Sequence, residues 1–153
     1  MDLILWRHAE AELLREGGKD LERCLTRKGE RQAARMAEWL NRRLAASTRV
    51  LVSPAQRTRA TAAALGRELR ILPSLAPDAS VADLLAAARW PASSEPVLIV
   101  GHQPTLGLLA AQLLTGSPQP WSVKKGAVWW LRARQREGQQ EVVLQAVQGP
   151  DFL

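Results

Sequence analysis

One cysteine, Cys24, stands among 153 residues. It excludes an internal disulfide and suits a reducing cytoplasm. A lone cysteine of this kind is expected as a small buried hydrophobe. Long hydrophobic runs are missing too. Apolar stretches such as Val97-Leu98-Ile99-Val100 are strand-sized, far short of the roughly 20 residues that a membrane-spanning helix needs. No basic segment followed by a long apolar one opens the chain, so neither a signal peptide nor membrane attachment is expected. Repeats, low-complexity tracts and linkers are absent, and residues 1–153 read as a single α/β domain. Histidine is scarce: His8 and His102 are the only two. No carboxylate or cysteine pattern accompanies them at metal-ligand spacing, so no metal site is expected.

What is present is a soluble-protein composition, 46% apolar and 24% charged, with a net charge of +6. Such an excess favours anionic partners. Nucleic acid is disfavoured, because the chain shows no recognised binding motif and no aromatic-basic strand face. The cations are scattered rather than blocked. Arg27, Arg31 and Arg35 recur at helical spacing and read as a solvated helix face.

The segment Leu3-Ile4-Leu5-Trp6-Arg7-His8 organises the rest. Four apolar residues form a buried strand that ends in an arginine and a histidine. Residues 9–25 are polar and read as a loop at the edge of a site. Thr26 then caps a helix whose apolar face is Ala33, Met36, Ala37, Leu40 and Leu44. Gly29 in its first turn points to a close backbone approach. The second strand, Arg49–Val52, runs into Ser53 as an expected N-cap and Pro54 at the first helical position. Arg57 falls in that first turn, leaning back toward the same sheet edge as His8. Arg59 faces elsewhere and reads as a surface residue. After a short strand at Arg70–Leu72 and a helix capped by Ser80, a fourth strand ends in Gly101-His102, and Pro104 leads into an apolar helix over 106–114. Residues 122–132 and 141–147 read as an antiparallel pair. Trp129 and Trp130 point to opposite faces and read as packing residues.

Both histidines thus follow strands. If those strands are parallel, Arg7, His8, Arg57 and His102 converge on one edge, where helix amino termini and arginines make a pocket for phosphate. Positive neighbours would keep an imidazole neutral and nucleophilic.

Arg7-His8, Ser53-Pro54-x-x-Arg57-x-x-x-Thr61-Ala62 and Val100-Gly101-His102-x-Pro104, in this order, resemble the histidine phosphatase superfamily. Arg7-His8-Ala9, Leu25-Thr26-x-x-Gly29 and Val123-Lys124-Lys125-Gly126-Ala127 resemble its short phosphohistidine phosphatases of the SixA type. The resemblance implies a three-layer α/β/α sandwich, with a mainly parallel sheet and an antiparallel C-terminal strand pair. It implies His8 as nucleophile, Arg7, Arg57 and His102 as phosphate-binding catalytic partners, and no cofactor. The substrate expected is phosphohistidine in a protein, such as a phosphorelay or phosphocarrier protein. A small-molecule phosphomonoester and a non-catalytic phosphoprotein-binding module remain the alternatives. Many members carry an acid in a longer insertion or directly after the second histidine. Here Gln103 follows His102, and Asp78, Asp83, Glu10 and Glu12 are only weak candidates for a proton donor. That lack suits a phosphoramidate, whose imidazole leaves more readily than an alkoxide. The short chain also predicts an open pocket.

Overall fold

The computed structural model describes residues 1–153. Its sheet contains β1 (Asp2–Arg7), β2 (Arg49–Val52), β3 (Arg70–Ile71), β4 (Val97–Gly101), β5 (Val128–Arg136) and β6 (Gln139–Gln148). The strand order is β3-β2-β4-β1-β5-β6. β3, β2, β4 and β1 run parallel, and β5 and β6 are antiparallel to their neighbours. Four helices cover it: α1 (Arg27–Asn41), α2 (Gln56–Ala63), α3 (Val81–Ala88) and α4 (Thr105–Thr115).

The continuous apolar strands make sense only if both sheet faces are covered. Leu3, Leu5, Val97 and Ile99 pack on one face with Leu84 and Ala88 of α3 and Leu106, Leu109 and Ala110 of α4. Ile4, Trp6, Leu98 and Val100 pack on the other with Met36, Ala37 and Leu40 of α1 and Ala62 of α2. Each fully buried Leu or Ile contributes about 1.5–3 kcal/mol of transfer free energy. Trp129 and Trp130 divide between these two cores as their alternation requires. Three layers result, as expected.

Side-chain caps explain the starts of α1 and α3. The Thr26 hydroxyl accepts from Gly29 N–H at 3.0 Å, and Ser80 and Asp83 form a reciprocal capping box that starts α3. Gly29 also meets the expected close approach: a Cβ there would lie 2.0 Å from Glu10 O. Arg27, Arg31, Arg35 and Arg59 are exposed.

Three expectations fail. Ser53 does not cap α2. The helix starts at Gln56, with Ala55 in the cap position and no side-chain cap, and Ser53 is 0% exposed because its hydroxyl is used inside the site. The strand expected from 122 begins at Val128. Before it, Val123 O and Gly126 O are committed to side chains of β1. The chain then turns at Gly126, whose φ of +76° favours glycine. Cys24 is exposed, not buried. The Ala11–Leu25 bridge turns Leu25 into a small core with Ala9 and Ala33, and alternation turns its neighbour outward.

Candidate active site

Parallel pairing sets Arg7 beside Gly101, so His8 and His102 emerge side by side from β1 and β4. Their ring centroids lie 5.4 Å apart. Carboxyl ends of adjacent parallel strands are where such folds bind ligands. The backbone locks this edge: His8 N–H donates to Gly101 O at 3.2 Å, and Gly126 N–H donates to His8 O at 3.0 Å. The spacing of Arg57 and Thr61 also acquires a reason. One helical turn apart, Thr61 donates its hydroxyl to Arg57 O at 2.8 Å and accepts from Ala9 N–H at 3.0 Å. It therefore rivets α2 to the residue after His8.

The ring of His8 is oriented by its own chain. Nδ1 lies 2.7 Å from Ala9 O, and because a carbonyl can only accept, Nδ1 carries the proton. The lone pair is then on Nε2. Burial, followed by the charges of Arg57, Arg7 and Arg23, pulls the His8 pKa down to about 4, against the opposing bond to Ala9. His102 is pulled down to about 3 by burial and then by Arg57, His8 and Arg7, with Asp20 opposing. Both imidazoles are neutral at pH 7. His102 Nε2 meets the Ser53 hydroxyl at 2.7 Å, which is what Ser53 does instead of capping.

Each arginine is held through a terminal nitrogen. Arg7 Nη1 donates to Val123 O at 2.9 Å. Arg57 Nη1 donates to Asp20 O at 2.9 Å, and its Nη2 to the Asp20 carboxylate at 3.1 Å. Arg7 is drawn below its usual range by burial and then by the like charge of Arg57, so the two cations share one environment. Three buried nitrogens of this cluster have no partner in the chain: Arg7 Nε, Arg57 Nε and His102 Nδ1. Buried polar groups are nearly always paired. Three unpaired ones beside a neutral imidazole amount to a cradle for the oxygens of a tetrahedral anion. His8 and His102 are each only 6% exposed, so both rings lie recessed in the floor of the site.

Sequence reasoning missed Asp20. The carboxylate sits on a 3-10 turn, Asp20–Glu22, and bridges Arg57 and Arg23, the latter at 3.1 Å. Burial works to raise its pKa, but the Arg23 hydrogen bond and the charge and bond of Arg57 hold it below the usual carboxylate range. It lies mid-loop, with no periodic pattern or helix start to single it out. The acids weighed instead are engaged or exposed elsewhere. Asp83 closes its capping box, Glu10 accepts from Thr26, and Asp78 and Glu12 are exposed. Gln103 bridges Trp121 O and Gly107 N–H, both at 2.8 Å. No group of three or more His, Cys, Asp or Glu side chains could hold a metal ion, and no helix is long and apolar enough to cross a membrane.

Known proteins are similar to this chain in sequence and in fold. Residues 3–79 match the profile of the histidine phosphatase superfamily, branch 1. The phosphohistidine phosphatase SixA of Escherichia coli is 33% identical over 129 residues, 78% of each chain. A SixA-type protein from Nakamurella multipartitia superposes with a TM-score of 0.78 at 32% identity, covering 97% of this chain and 95% of that one. The protein histidine phosphatase SixA complexed with tungstate gives 0.78 at 27% identity over 99% of both.

Proposed function

Because the chain belongs to the histidine phosphatase superfamily, branch 1, we propose that it removes phosphate from a phosphohistidine carried by a protein, with His8 as nucleophile. His8 Nε2 attacks phosphorus in line. The new N–P bond forms as the P–N bond to the substrate imidazole breaks, and the departing imidazole takes its proton from solvent. Water then attacks that phosphorus: its O–P bond forms as the His8 Nε2–P bond breaks, its proton passes to solvent, and orthophosphate departs, leaving the lone pair on Nε2. Arg7, Arg57 and His102 hold the non-bridging oxygens throughout.

The observation that carries this reading is the His8 ring itself: Nδ1 anchored to Ala9 O, with Arg7 Nε, Arg57 Nε and His102 Nδ1 unpaired around it. Asp20 supports the substrate class. Its carboxylate is held by two arginines and kept ionised at neutral pH, so it is a poor proton donor. An alkoxide leaving group needs such a donor; a phosphohistidine imidazole does not. The lone thiol of Cys24 suits a cytoplasmic enzyme. The sharing of one sheet by both cores supports reading residues 1–153 as one domain.

The test is phosphate release from a phosphohistidine-bearing protein and from p-nitrophenyl phosphate, both with EDTA present. The expected result is preference for phosphohistidine, with turnover abolished in His8→Ala. Better turnover of the ester would move the assignment to a general phosphomonoesterase. Full activity in His8→Ala would remove the nucleophile assignment.

A further inference from the structure

The loop between β1 and α1 carries more than Asp20. Leu13 is 83% exposed, Leu14 56% and Leu21 48%. Single exposed leucines are ordinary, but three on the loop that Asp20 ties to Arg57 offer an interaction surface. The loop is well braced. Glu12 N–H donates to Cys24 O at 2.8 Å, and Arg23 Nε to Glu12 O at 2.7 Å, closing its base. Gly18 N–H donates to Arg15 O at 2.9 Å in its middle, and Asp20 ties it to Arg57. Leu13 and Leu14 line a cleft of about 310 Å³ together with Arg15, Lys19 and Arg23, which gives room for a partner's side chain.

The other side of β1 differs. Lys124 and Lys125 are exposed on the loop entering β5. They stand between Val123, which anchors Arg7, and Gly126, which donates to His8 O. Neither forms an ion pair. Charges on the leucine loop, by contrast, are mixed, with Glu12, Glu16 and Glu22 among Arg15, Lys19 and Arg23. The rim of the site therefore carries exposed leucines among mixed charges on one side and two unpaired lysines on the other.

We infer that this two-sided rim docks the protein that bears the phosphohistidine, an inference that rests on the function proposed above. Apolar side chains beside the phosphorylated histidine cover Leu13, Leu14 and Leu21. Carboxylates on its opposite flank meet Lys124 and Lys125. Because His8 is recessed, the partner's histidine must be pushed inward, and a braced rim on both sides supplies that orientation without an ordering cost in the loop. A free metabolite would engage neither side.

Two surface variants separate docking from chemistry: Leu13→Ser with Leu14→Ser, and Lys124→Glu with Lys125→Glu. Each is assayed on a phosphohistidine-bearing phosphocarrier protein and on free phosphohistidine, and each is tested for binding to anionic vesicles and for self-association by sedimentation. Docking requires kcat/KM on the protein to fall roughly tenfold or more, through KM, with free phosphohistidine unaffected. The lysine effect should shrink with added salt. Unchanged turnover of the protein overturns the inference, and so does an equal fall on both substrates. If the unaltered enzyme hydrolyses free phosphohistidine but no phosphoprotein, docking falls while the phosphatase reading stands. If it hydrolyses neither, both fall. Loss of vesicle binding, or of a dimer, with protein turnover intact would assign the rim to a membrane surface or a second copy and overturn it as well.

Discussion

His8 and His102 stand at the ends of strands whose interior residues are 0% exposed, whereas Asp20 and its leucine neighbours stand on a loop held by a handful of hydrogen bonds. The first region is placed by burial. Moving either histidine would mean moving β1 or β4 against two packed cores, at a cost of several kcal/mol. The second region is placed by local contacts worth about 1 kcal/mol each. The proposed chemistry thus sits where two cores hold the backbone, and the proposed docking loop where a few hydrogen bonds brace it. The loop can change its side chains while the catalytic edge stays in place.

The sharpest way to break that contrast is at Arg57, which belongs to both regions. Its Nε is buried without a partner, and its terminal nitrogens go to Asp20. Arg57→Ala should cost about 2–4 kcal/mol of transition-state stabilisation, read as kcat/KM for phosphohistidine, with the circular dichroism spectrum unchanged. A smaller loss than that of Asp20→Asn would place Arg57 outside the chemistry. The histidines offer a pH test of the buried side. With the His8 pKa held near 4, the lone pair on Nε2 survives well below pH 6.5, and the acid limb of kcat/KM should lie near pH 4. Between pH 6.5 and 4 the unfolded chain binds protons that the folded chain refuses. Stability is therefore full above about 6.5 and declines as pH falls through that window. An acid limb at 6.5, matching an exposed histidine, would contradict the burial.

How much of this could be read from the chain follows the same division. Strand ends are legible because burial writes a pattern: Leu3–Trp6 and Val97–Val100 leave no doubt about where His8 and His102 emerge. Arg57 is legible although its warrant fails in part: Ser53 and Pro54 predict a helix start at 54, α2 begins at Gln56 instead, and Arg57 still falls in its first turn. Ser53 was misread because capping is a local rule, and the nearby His102 imidazole competed for the hydroxyl. Residues 122–127 were misread for the same reason. Their carbonyls answer Arg7 and Trp6, partners more than a hundred positions away in sequence. Asp20 left no trace at all. A carboxylate on a loop acquires meaning only from what lies across from it in space, and nothing in its neighbours announces Arg57.

The join between the two regions can be strained directly. Gly29 lets α1 pass against Glu10, and a Cβ would sit 2.0 Å from Glu10 O. Backbone cannot rotate aside as a side chain can. Gly29→Ala should therefore destabilise the fold by about 1–3 kcal/mol through overpacking, measured by urea denaturation. Because Glu10 follows Ala9, whose N–H is bonded to Thr61, kcat should fall as well. Loss of stability with kcat intact would mean that the loop is not coupled to the His8 edge.

Asp20→Asn is the finest probe. The amide keeps the shape and the backbone bond from Arg57 Nη1 to the residue-20 carbonyl, and removes only the negative charge facing Arg57 and Arg23. Two opposing consequences follow. Arg57 is held less firmly, which costs orientation in the transition state. Yet the cradle also becomes more positive, since Asp20 is the group that opposes the lowered pKa of His102, and a phosphate dianion should bind more tightly. Because the carboxylate is 45% exposed, solvent screens both effects, and the net change should be about 1 kcal/mol or less. The signature is therefore a split: KM and the product-inhibition constant for orthophosphate fall together, while kcat falls by roughly three- to tenfold. A rise in KM with kcat unchanged would show that Asp20 recruits substrate instead of holding Arg57. In that case the loop would contribute to binding alone, and the boundary between the two regions would run between Asp20 and Arg57.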